Sequence, residues 1–408
     1  MVFKGSKFVK YFEGSKVVRL KLIRDVSKHI KRGNPWVFAD AVEKIKAAEG
    51  AYAILSSSKG EVVAHGFYSP STNLAFRAVT LSDKKFSDDT VVRRFRRAIE
   101  NKKHLLTRDN KCLRVLNGEG DELPGVVADY YDGVLVLKLD GTAAEAFWKK
   151  EAIAEYFIEQ EILPVSCVYY KRKNKEEDKG MILAGACDRL TDLEFLEHGV
   201  KFRTNIIDAA KTGFFLDQRE NRNFIRSVSK DHTLLNLFGY TGGFSVYAGL
   251  GGAKKVTTVD IAPHAIKAST LNWEINLLSP ELHDAVCEDA FKFVEDAQKE
   301  KKTWDIVITD PPSFAPNQKA RETAKEAYIK IFADSLKLVR DGGYFAASSC
   351  SGHISFDEFM EIVQEALSKS RRRGKVLLVK GQPEDHPFPM ALPEMRYLKF
   401  VYLQTFKD

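Results

Sequence analysis

The chain has 408 residues, more than one ordinary hydrophobic core organises, so two or three domains are expected. Its hydrophobic content of 44% with 29% charged residues indicates a soluble globular protein, and no apolar run approaches the roughly 20 residues that span a bilayer, which excludes a membrane-spanning class. The net charge of +7 favours contact with polyanions such as RNA, although the same charge is also ordinary for solubility in a chain of this length.

The five cysteines are scattered along the chain, and the sequence contains no CxxC pair. Their odd number and spacing exclude a disulfide framework and predict no metal site. Residues 1–6 lack the apolar core of a secretory signal, and we therefore expect a protein of the reducing cytoplasm.

Residues 1–88 are predicted to form a small β-barrel. No periodicity is visible before residue 15, so a lead without regular structure is expected there. Short apolar runs with turn residues between them predict the strands of the barrel. These runs lie at 17–22, 51–55, 62–67 and 74–79.

Basic and aromatic side chains occur together between the first two of these strands. Lys31 and Arg32 are therefore candidate contacts for RNA phosphates. Trp36 and Phe38 either stack on bases or belong to the core of the barrel.

Residues 89–192 are predicted to form a small α+β domain. A basic helix at 91–106, with arginines expected to be solvated, precedes two β runs on either side of an Asp-Gly turn, which predict a hairpin. A helix at 143–160 and strands at 167–171 and 182–184 complete a strand–strand–helix–strand–strand (EEHEE) order.

Residues 193–408 are predicted to form a Rossmann-like α/β domain. Apolar runs that end in glycine, aspartate or cysteine alternate here with helical patterns, which is typical of a parallel sheet. The polar residues after these runs therefore meet at one edge, where such sheets bind ligands.

The first of these runs ends in a glycine-rich turn at 239–243, which matches neither G-x-G-x-x-G nor the phosphate-binding G-x-x-x-x-G-K pattern. Asp260 after the next strand suits the hydroxyls of a ribose, and Asp289 after the third suits an adenine amino group. The combination favours adenosine without a phosphate tail, and S-adenosylmethionine is such a ligand.

The fourth run ends in Asp310-Pro311-Pro312, a turn in which two prolines remove two backbone donors. The carbonyl groups of this turn, together with Asp310, are suited to hold the exocyclic amino group of a base. The alternative is that the two prolines merely end the strand.

Cys350 follows the fifth run, after a helix predicted to end at Gly342-Gly343. A thiolate that adds to C6 of cytosine would make C5 nucleophilic enough to accept a methyl group, so Cys350 is a candidate nucleophile. The alternative, a buried apolar role, is assigned to the other four cysteines.

The stretch 211–222 packs polar residues densely around Phe214 and Phe215, just before a predicted helix. It either faces a ligand, or it starts the helix and contacts another domain.

With these motifs the chain resembles the RNA cytosine-C5 methyltransferases typified by the ribosomal RNA large subunit methyltransferase I family. The resemblance covers nearly the whole chain: segments 33–38 and 68–71 look like the N-terminal PUA domain of that family, and 118–125 looks like its central domain. The segments closest to the family motifs are 211–222, 240–246, 310–312, 349–352 and 385–387.

The resemblance implies S-adenosylmethionine as methyl donor, cytosine C5 in large-subunit ribosomal RNA as target, and a homodimer. Cys350 and Asp310 are the catalytic residues expected. The cofactor-binding residues expected are Phe238, Gly239, Tyr240, Gly242, Asp260, Ile261, Asp289, Ala290, Asp310 and Gln218. The substrate-binding residues expected are Pro311, Lys211, Arg219, Arg222, Lys31 and Arg32.

Two departures from the family pattern leave the exact target open. The family usually has a lysine after Asp-Pro-Pro, where this chain has Ser313. Ahead of Lys211 the family usually has Gly-Gln or Gly-His, where this chain has Ala209-Ala210.

Two other functions remain open at this point. An RNA guanine N-methyltransferase shares the Asp-Pro-Pro loop but needs no covalent intermediate, and hence no Cys350. A non-catalytic RNA-binding factor for ribosome assembly keeps the fold but does not bind S-adenosylmethionine.

Overall fold

The computed structural model describes residues 11–14, 17–172, 179–209, 211–315 and 318–407, with Gln318 described in its backbone only. The chain divides into two compact units. The first comprises Met1–Phe195, Thr204–Leu216 and Glu384–Pro393, and the second comprises Leu196–Arg203, Asp217–Pro383 and Glu394–Asp408. The domain boundaries predicted at 88/89 and 192/193 remain predictions.

The first unit contains two sheets and four helices. Its strands are β1 (Val17–Lys21), β2 (Trp36–Phe38), β3 (Ala51–Ser56), β4 (Val62–Tyr68), β5 (Leu74–Thr80), β6 (Cys112–Asn117), β7 (Val126–Tyr131), β8 (Val134–Leu139), β9 (Cys167–Tyr170) and β10 (Met181–Gly185). Its helices are α1 (Ser27–Lys31), α2 (Asp88–Lys102), α3 (Thr142–Phe147) and α4 (Lys150–Glu159).

The N-terminal sheet has the order β1-β3-β4-β5-β2, and it is antiparallel except for the pair β1–β3. All four predicted strands are present, and β2 adds a fifth. The lead before residue 15 was predicted to lack structure, but Tyr11 is buried and the ring of Phe12 stacks on Phe147 with centroids 5.6 Å apart. Residues 1–10 lie outside the described residues.

The second sheet of this unit has the order β10-β9-β8-β7-β6. The predicted hairpin is confirmed: Tyr131 pairs with Val134 across Asp132 and Gly133, whose φ angles of 38° and 99° suit a two-residue hairpin turn. Strand β6 is one strand more than the predicted strand–strand–helix–strand–strand order contains. The predicted helix 143–160 is divided into α3 and α4, because Trp148 is extended and its indole N–H donates to Pro124 O at 2.8 Å.

The prediction that all the arginines of α2 are solvated was wrong for Arg94. Its side chain is largely buried, because its Nε lies 3.1 Å from Glu122 Oε2 and its Nη1 donates to Glu122 O at 2.8 Å. The core beneath α2 is continuous, since one apolar cluster contains residues of both sheets, such as Phe67 and Leu135.

Two short strands, β11 (Leu193–Glu197) and β12 (Val200–Thr204), form a separate two-stranded sheet. The second unit contains the remaining strands, which are β13 (Thr233–Leu237), β14 (Lys255–Asp260), β15 (His283–Cys287), β16 (Trp304–Thr309), β17 (Val339–Ser349), β18 (Arg372–Lys380) and β19 (Lys399–Lys407). Its helices are α5 (Arg219–Val228), α6 (Gly243–Leu250), α7 (Pro263–Glu274), α8 (Ala290–Lys299), α9 (Arg321–Leu336) and α10 (Phe356–Lys369).

These seven strands form one sheet of order β15-β14-β13-β16-β17-β19-β18. Strands β13 to β17 are parallel to their neighbours, whereas β19 runs antiparallel to both β17 and β18. From β13 the chain winds outward in one direction through β14 and β15, and then in the other through β16 and β17. The carboxyl ends of β13 and β16 therefore flank a topological switch point, where open α/β sheets bind ligands.

The helix before β17 was predicted to end at Gly342-Gly343, and this was wrong. Helix α9 ends at Leu336, because Val339 already pairs with Trp304 at the start of β17. Apolar clusters on both faces bury the sheet. Among the described residues, no helix combines the length and apolarity that crossing a membrane requires.

Candidate active site at the carboxyl edge of the seven-stranded sheet

The turn between β13 and α6 brings backbone close to the switch point. A Cβ atom on Gly239 would lie 2.5 Å from Thr258 Cγ2, so only glycine fits this approach. Phe238 and Tyr240 have left-handed φ angles of 58° and 47°, and Gly242, with φ 78°, immediately precedes α6. The turn is therefore a tight backbone cradle, which the structure forms from the predicted residues.

Asp260, the last residue of β14, supports this cradle. Its Oδ2 accepts a hydrogen bond from the Tyr240 amide, and its Oδ1 accepts one from the Ala262 amide, both at 2.9 Å. These two bonds fix the carboxylate, and each oxygen keeps a second lone pair for a ligand hydroxyl. Ile261, next in the chain, is 67% exposed and offers an apolar surface beside the carboxylate.

Asp289 follows β15 and begins α8. Its Oδ1 accepts hydrogen bonds from the amides of Phe291 and Lys292, at 3.0 and 3.1 Å, so it is the N-cap of the helix. Asp289 is exposed and Ala290 is buried. The N-cap role was not foreseen, and it leaves Oδ2 to meet the adenine amino group that the sequence predicts.

The residues of this edge fit S-adenosylmethionine. The glycine cradle accepts an uncharged part of a ligand at close range, because no lysine or arginine follows its glycines as it does in phosphate-binding loops. The fixed carboxylate of Asp260 suits a ribose, and exposed Ile261 suits the face of an adenine ring.

Gln218 joins the ends of β16 and β17. Its side-chain amide donates to Asp310 Oδ2 and to Ser348 Oγ, both at 2.9 Å, and its Oε1 accepts from Asn221 Nδ2 at 2.6 Å. Gln218 and Ser348 are buried. One N–H group of the predicted cofactor-binding residue Gln218 therefore holds Asp310, and the other holds Ser348.

Cys350 immediately follows β17 and is partly exposed. The buried position predicted for the other cysteines is confirmed for Cys112 and Cys167, but Cys187 is partly exposed, and for Cys287, which is exposed, the prediction was wrong. The residues on either side of it are fixed, because Ser349 Oγ donates to the Tyr328 hydroxyl at 3.1 Å and Ser351 Oγ donates to Ala315 O at 3.3 Å. The second bond joins the loop after β17 to the loop after β16, which contains Asp310 and the buried Pro311. The thiol thus follows one of two strand ends that are tied together.

Tyr328 lies beneath these two loops. Burial is the largest cause that raises its pKa to about 12, and the negative charges of Cys350 and Asp310 act in the same direction. The phenol therefore stays protonated and neutral near neutral pH, and it serves as a buried hydrogen-bond partner of Ser349.

Arg219 and Arg222 were predicted to bind substrate, but the structure places both in the interior of the second unit. Arg222 donates through Nε and Nη2 to the two carboxylate oxygens of Glu197, at 2.8 and 2.7 Å. Arg219 donates through Nε to Glu220 Oε1 at 3.0 Å. Substrate binding stays a prediction for these two residues, whose guanidinium groups are buried against carboxylates in this structure.

The other basic candidates belong to the first unit and are exposed. Arg32 lines a cavity of about 280 Å³ together with His29, Asn34, Met390 and Ala391, and Lys31 is exposed at the end of α1. Lys211 is also exposed, with its ammonium nitrogen 4.5 Å from the ring centre of Phe215. Ala210, one of the two departures ahead of Lys211, lies outside the described residues.

Neither role predicted for the aromatic residues of β2 describes them fully. Phe38 is 42% exposed and is not part of the core. Trp36 is half-buried, and its indole N–H donates to Glu119 Oε1 at 2.7 Å, while Glu119 also binds Arg77. This buried polar cluster fixes Trp36 within the first unit.

Several residues of the site were not found in the sequence. Ser348 and Tyr328 lie within apolar patterns and give no separate signal. Lys399 is fully buried at the start of β19. Its only signal in the sequence is that it is a lysine inside an otherwise apolar run, 398–403. That pattern indicates a buried charge with a specific partner.

Family models match most of the chain. The model described as S-adenosylmethionine-dependent methyltransferase matches residues 168–372, and the model described as PUA-like domain matches residues 20–81. The N-terminal sheet is thus PUA-like, and the seven-stranded sheet is that of an S-adenosylmethionine-dependent methyltransferase.

Similar proteins and structures agree with these matches. The Deinococcus radiodurans ribosomal RNA large subunit methyltransferase is 34% identical over an alignment of 405 positions, which covers 95% of this chain and 97% of that protein. The ribosomal RNA large subunit methyltransferase I of Pseudoalteromonas translucida is 33% identical, over 93% of this chain and 97% of that protein.

Two solved structures share the fold. One is a protein from Streptococcus mutans described as a SAM-dependent methyltransferase, and the other, SMU.776, is described as a methyltransferase complexed with SAH. Each has a TM-score of 0.84 and is 23% identical in sequence. Each match covers 95% of this chain and 100% of the other protein's chain. The chain therefore belongs to the ribosomal RNA large subunit methyltransferase I family of S-adenosylmethionine-dependent methyltransferases.

Proposed function

We propose that this protein methylates C5 of a cytosine in large-subunit ribosomal RNA, with S-adenosylmethionine as donor and Cys350 as covalent nucleophile. The observation that carries the proposal is the pairing of two strand ends. Asp310 follows β16 and Cys350 follows β17, and these neighbouring ends are joined through Gln218 to Ser348 and through Ser351 to Ala315.

The binding site for the methyl donor is assigned to the carboxyl ends of β13, β14 and β15, on the other side of the switch point. The cradle at Gly239, the carboxylate of Asp260 and the exposed Ile261 would hold the adenosine, with Asp289 at the adenine amino group. When bound, S-adenosylmethionine supplies an electrophilic methyl group on a sulfonium centre.

The base side is assigned to Asp310 and the turn that follows it. Asp310 accepts from Gln218 through Oδ2, which fixes the carboxylate so that it can accept from the exocyclic amino group of cytosine. The two prolines leave carbonyl oxygens without neighbouring N–H groups, so the turn presents further acceptors. Ser313 is exposed and provides no cation here, so base binding rests on Asp310 and the carbonyl groups.

The chemistry requires a nucleophile, because C5 of cytosine alone reacts poorly with a methyl sulfonium. Addition of the Cys350 thiolate forms a bond to C6 and moves electron density to C5, which then accepts the methyl group. The C5 proton next passes to a base, the C6–S bond breaks, and the thiolate is regenerated. Covalent catalysis thus divides one difficult step into easier ones.

Ribosomal RNA is proposed as the substrate because the relatives similar over nearly their whole length are named for it. The exposed cations Lys31, Arg32 and Lys211 and the PUA-like sheet provide surfaces suited to an RNA backbone. The same resemblance implies a homodimer, which sedimentation velocity at micromolar concentration would test.

The deciding experiment compares wild type, Cys350→Ala and Cys187→Ala on unmodified large-subunit ribosomal RNA with methyl-labelled S-adenosylmethionine. Cys187 is a partly exposed thiol of the first unit and serves as the matched control. The RNA is digested to nucleosides and analysed by mass spectrometry. We expect label on cytosine C5 that is lost in Cys350→Ala and retained in Cys187→Ala.

Other outcomes assign the protein elsewhere. Label on guanine that survives Cys350→Ala would identify an N-methyltransferase in which Cys350 is structural. No label, together with no binding of S-adenosylmethionine, would identify the protein as a non-catalytic RNA-binding factor for ribosome assembly. Small-subunit ribosomal RNA in a parallel reaction should remain unlabelled.

A further inference from the structure

Lys399 is a buried lysine next to the proposed nucleophile. It is the first residue of β19, and it pairs with Ser349 in the antiparallel register of β19 with β17. Its side chain has no solvent-exposed surface. The strand pairing therefore fixes a cation across from the residue that immediately precedes Cys350.

Within the described part of the chain, the ammonium group of Lys399 donates hydrogen bonds to backbone oxygens only. Its Nζ donates to Ser351 O at 2.6 Å, to Ile354 O at 2.8 Å and to Tyr397 O at 2.9 Å. The first two carbonyls belong to the loop that starts at Cys350. All three donors of the ammonium group are thus satisfied, and the loop is held at two points.

The charge of Lys399 is not cancelled by a carboxylate. Among the described residues it has no ion-pair partner, and Glu358, a carboxylate that acts on it electrostatically, is already engaged by Lys325 at 2.8 Å and by Arg321. A buried charge of this kind interacts strongly with neighbouring groups, because little water screens it.

The remaining titratable and charged groups around this loop do not replace it. Tyr328 of α9 is neutral, since burial raises its pKa to about 12. Arg396 is exposed, and its guanidinium lies 4.8 Å from the ring centre of Phe356. The negative charge of Asp310 disfavours a second negative charge nearby, such as the thiolate of Cys350.

Burial lowers the pKa of Lys399 to about 8, and the negative charge of Cys350 is the largest influence that opposes this shift. The coupling is reciprocal: the thiolate of Cys350 stabilises the ammonium form of Lys399, and the ammonium stabilises the thiolate by the same amount.

We propose that Lys399 is a positioning residue that fixes the loop after Cys350 and favours the thiolate form of Cys350. The inference rests on the proposed role of Cys350 as nucleophile, because a thiol that adds to cytosine C6 must be ionised first. Three carbonyl contacts hold the ammonium in place, so the charge is present before the RNA binds. His353, the other titratable residue of the loop 350–355, is exposed.

The first test needs no variant. Reaction with iodoacetamide is followed by mass spectrometry at each cysteine from pH 5 to 10, and the exposed Cys287 serves as an internal reference. Alkylation follows the thiolate, so the midpoint for Cys350 should lie about one pH unit or more below that for Cys287. Coincident midpoints, or a higher midpoint for Cys350, would overturn the proposal.

The second test compares Lys399→Met, Lys399→Arg and Lys171→Met. Lys171 is a matched control in the first unit, a buried lysine that also donates to backbone carbonyls, those of Ile206 and Ala209, and whose pKa burial also lowers to about 8. Lys399→Met should slow alkylation of Cys350 at pH 7 about tenfold, and Lys399→Arg should restore most of the rate.

Lys171→Met should leave the alkylation profile of Cys350 unchanged. Slowing by Lys171→Met, or by Lys399→Met and Lys399→Arg alike, would reduce Lys399 to a structural role and refute the proposal. An unchanged urea-unfolding transition confirms in each variant that the protein is folded, and Cys287 remains the internal reference for alkylation. Since no RNA or methyl donor is present, failure here is distinguishable from failure of the proposed cytosine methylation.

Discussion

The side-chain amide of Gln218 donates a hydrogen bond to Asp310 Oδ2 at 2.9 Å, and this bond fixes a carboxylate that follows β16 from the start of α5. Gln218 is buried, and its second N–H is bound at the end of β17. The geometry of a reactive site depends on such support, because a displacement of about 1 Å can lower a rate about 100-fold.

We therefore expect Gln218→Leu to lower kcat/KM for RNA methylation about 10- to 100-fold, since Asp310 loses its fixed donor. Gln404→Leu is the matched control, because Gln404 makes a single hydrogen bond to Gly342 O at 3.0 Å, near the other end of β17. Steady-state methylation and thermal unfolding should be measured on both. Equal losses of activity in the two variants would show that Gln218 only stabilises the sheet.

The contact between Gly239 and Thr258 predicts a rescue. Gly239→Ala places a Cβ atom 2.5 Å from Thr258 Cγ2, so the cradle must shift and the affinity for S-adenosylmethionine should fall at least about tenfold. Thr258→Ser removes that methyl group and keeps the hydroxyl, which lies 2.6 Å from Ser245 Oγ.

The double variant Gly239→Ala with Thr258→Ser should recover most of the affinity, and Thr258→Ser alone should change it little. Isothermal titration calorimetry with S-adenosylmethionine provides the measurement. A double variant as weak as Gly239→Ala would mean that the cradle requires glycine for another reason, such as contact with Asn236, whose Nδ2 would lie 3.0 Å from the new atom.

The pair Arg222–Glu197 is expected to act on stability. Arg222→Leu leaves a buried carboxylate without its cation, so we expect the free energy of unfolding to fall by about 3 to 5 kcal/mol. Arg222→Met combined with Glu197→Leu removes both charges and should recover much of this loss, since the Tyr247 hydroxyl still donates to Glu197 O at 2.9 Å.

Urea denaturation and filter binding to ribosomal RNA distinguish the two roles of Arg222. A single variant that is as stable as wild type but binds RNA more weakly would support the predicted substrate-binding role of Arg222. The Lys31→Ala variant provides the comparison. Because Lys31 is exposed, this substitution should weaken RNA binding without loss of stability.

The sequence predicted the parallel sheet and the order of its strand-end residues because both depend on local pattern. An apolar run before Asp260, Asp310 or Cys350 places the polar residue at a known edge, whatever the distant neighbours are. The cradle at Gly239 is similarly local. The predicted strand ends therefore lie at one edge of the sheet wherever a single strand and its turn define them.

The remainder depends on pairing between distant segments, which one sequence does not reveal. Lys399 acts on Cys350 only because β19 returns antiparallel beside β17, about 50 residues later. The ion pair of Arg222 was not foreseen, because its partner, Glu197, lies in a separate two-stranded sheet. The end of α9 was missed because the pairing of Val339 with Trp304 outweighed the signal of the two glycines.

His283 predicts how stability depends on pH. Desolvation lowers its pKa from 6.5 to about 4, because the ring is buried against Trp273 and its Nε2 lies 2.7 Å from Thr258 Oγ1. Below pH 6.5 the unfolded chain binds a proton that the folded protein does not bind until about pH 4, so the free energy of unfolding falls across this window as the pH is lowered.

His283→Gln should flatten this part of the pH dependence, because glutamine does not titrate and can still bond to Thr258. The exposed residue His264, on α7, provides the control His264→Gln. Urea unfolding at pH 7 and pH 5 measures the difference. A pH dependence that is the same in His283→Gln and wild type would assign it to other groups.

The target base must leave its stack to reach Cys350, at a cost of a few kcal/mol. We therefore expect methylation of protein-free or partly assembled large-subunit RNA to be at least about tenfold faster than that of the mature subunit, in which proteins and tertiary contacts hold the base. The measurement is the initial rate with each substrate at equal RNA concentration, with S-adenosylmethionine saturating. Brief heating that loosens the mature subunit should raise its rate towards that of free RNA. Equal rates on free RNA and intact subunits would mean instead that the target base is already accessible in the finished particle, and that the enzyme acts after assembly.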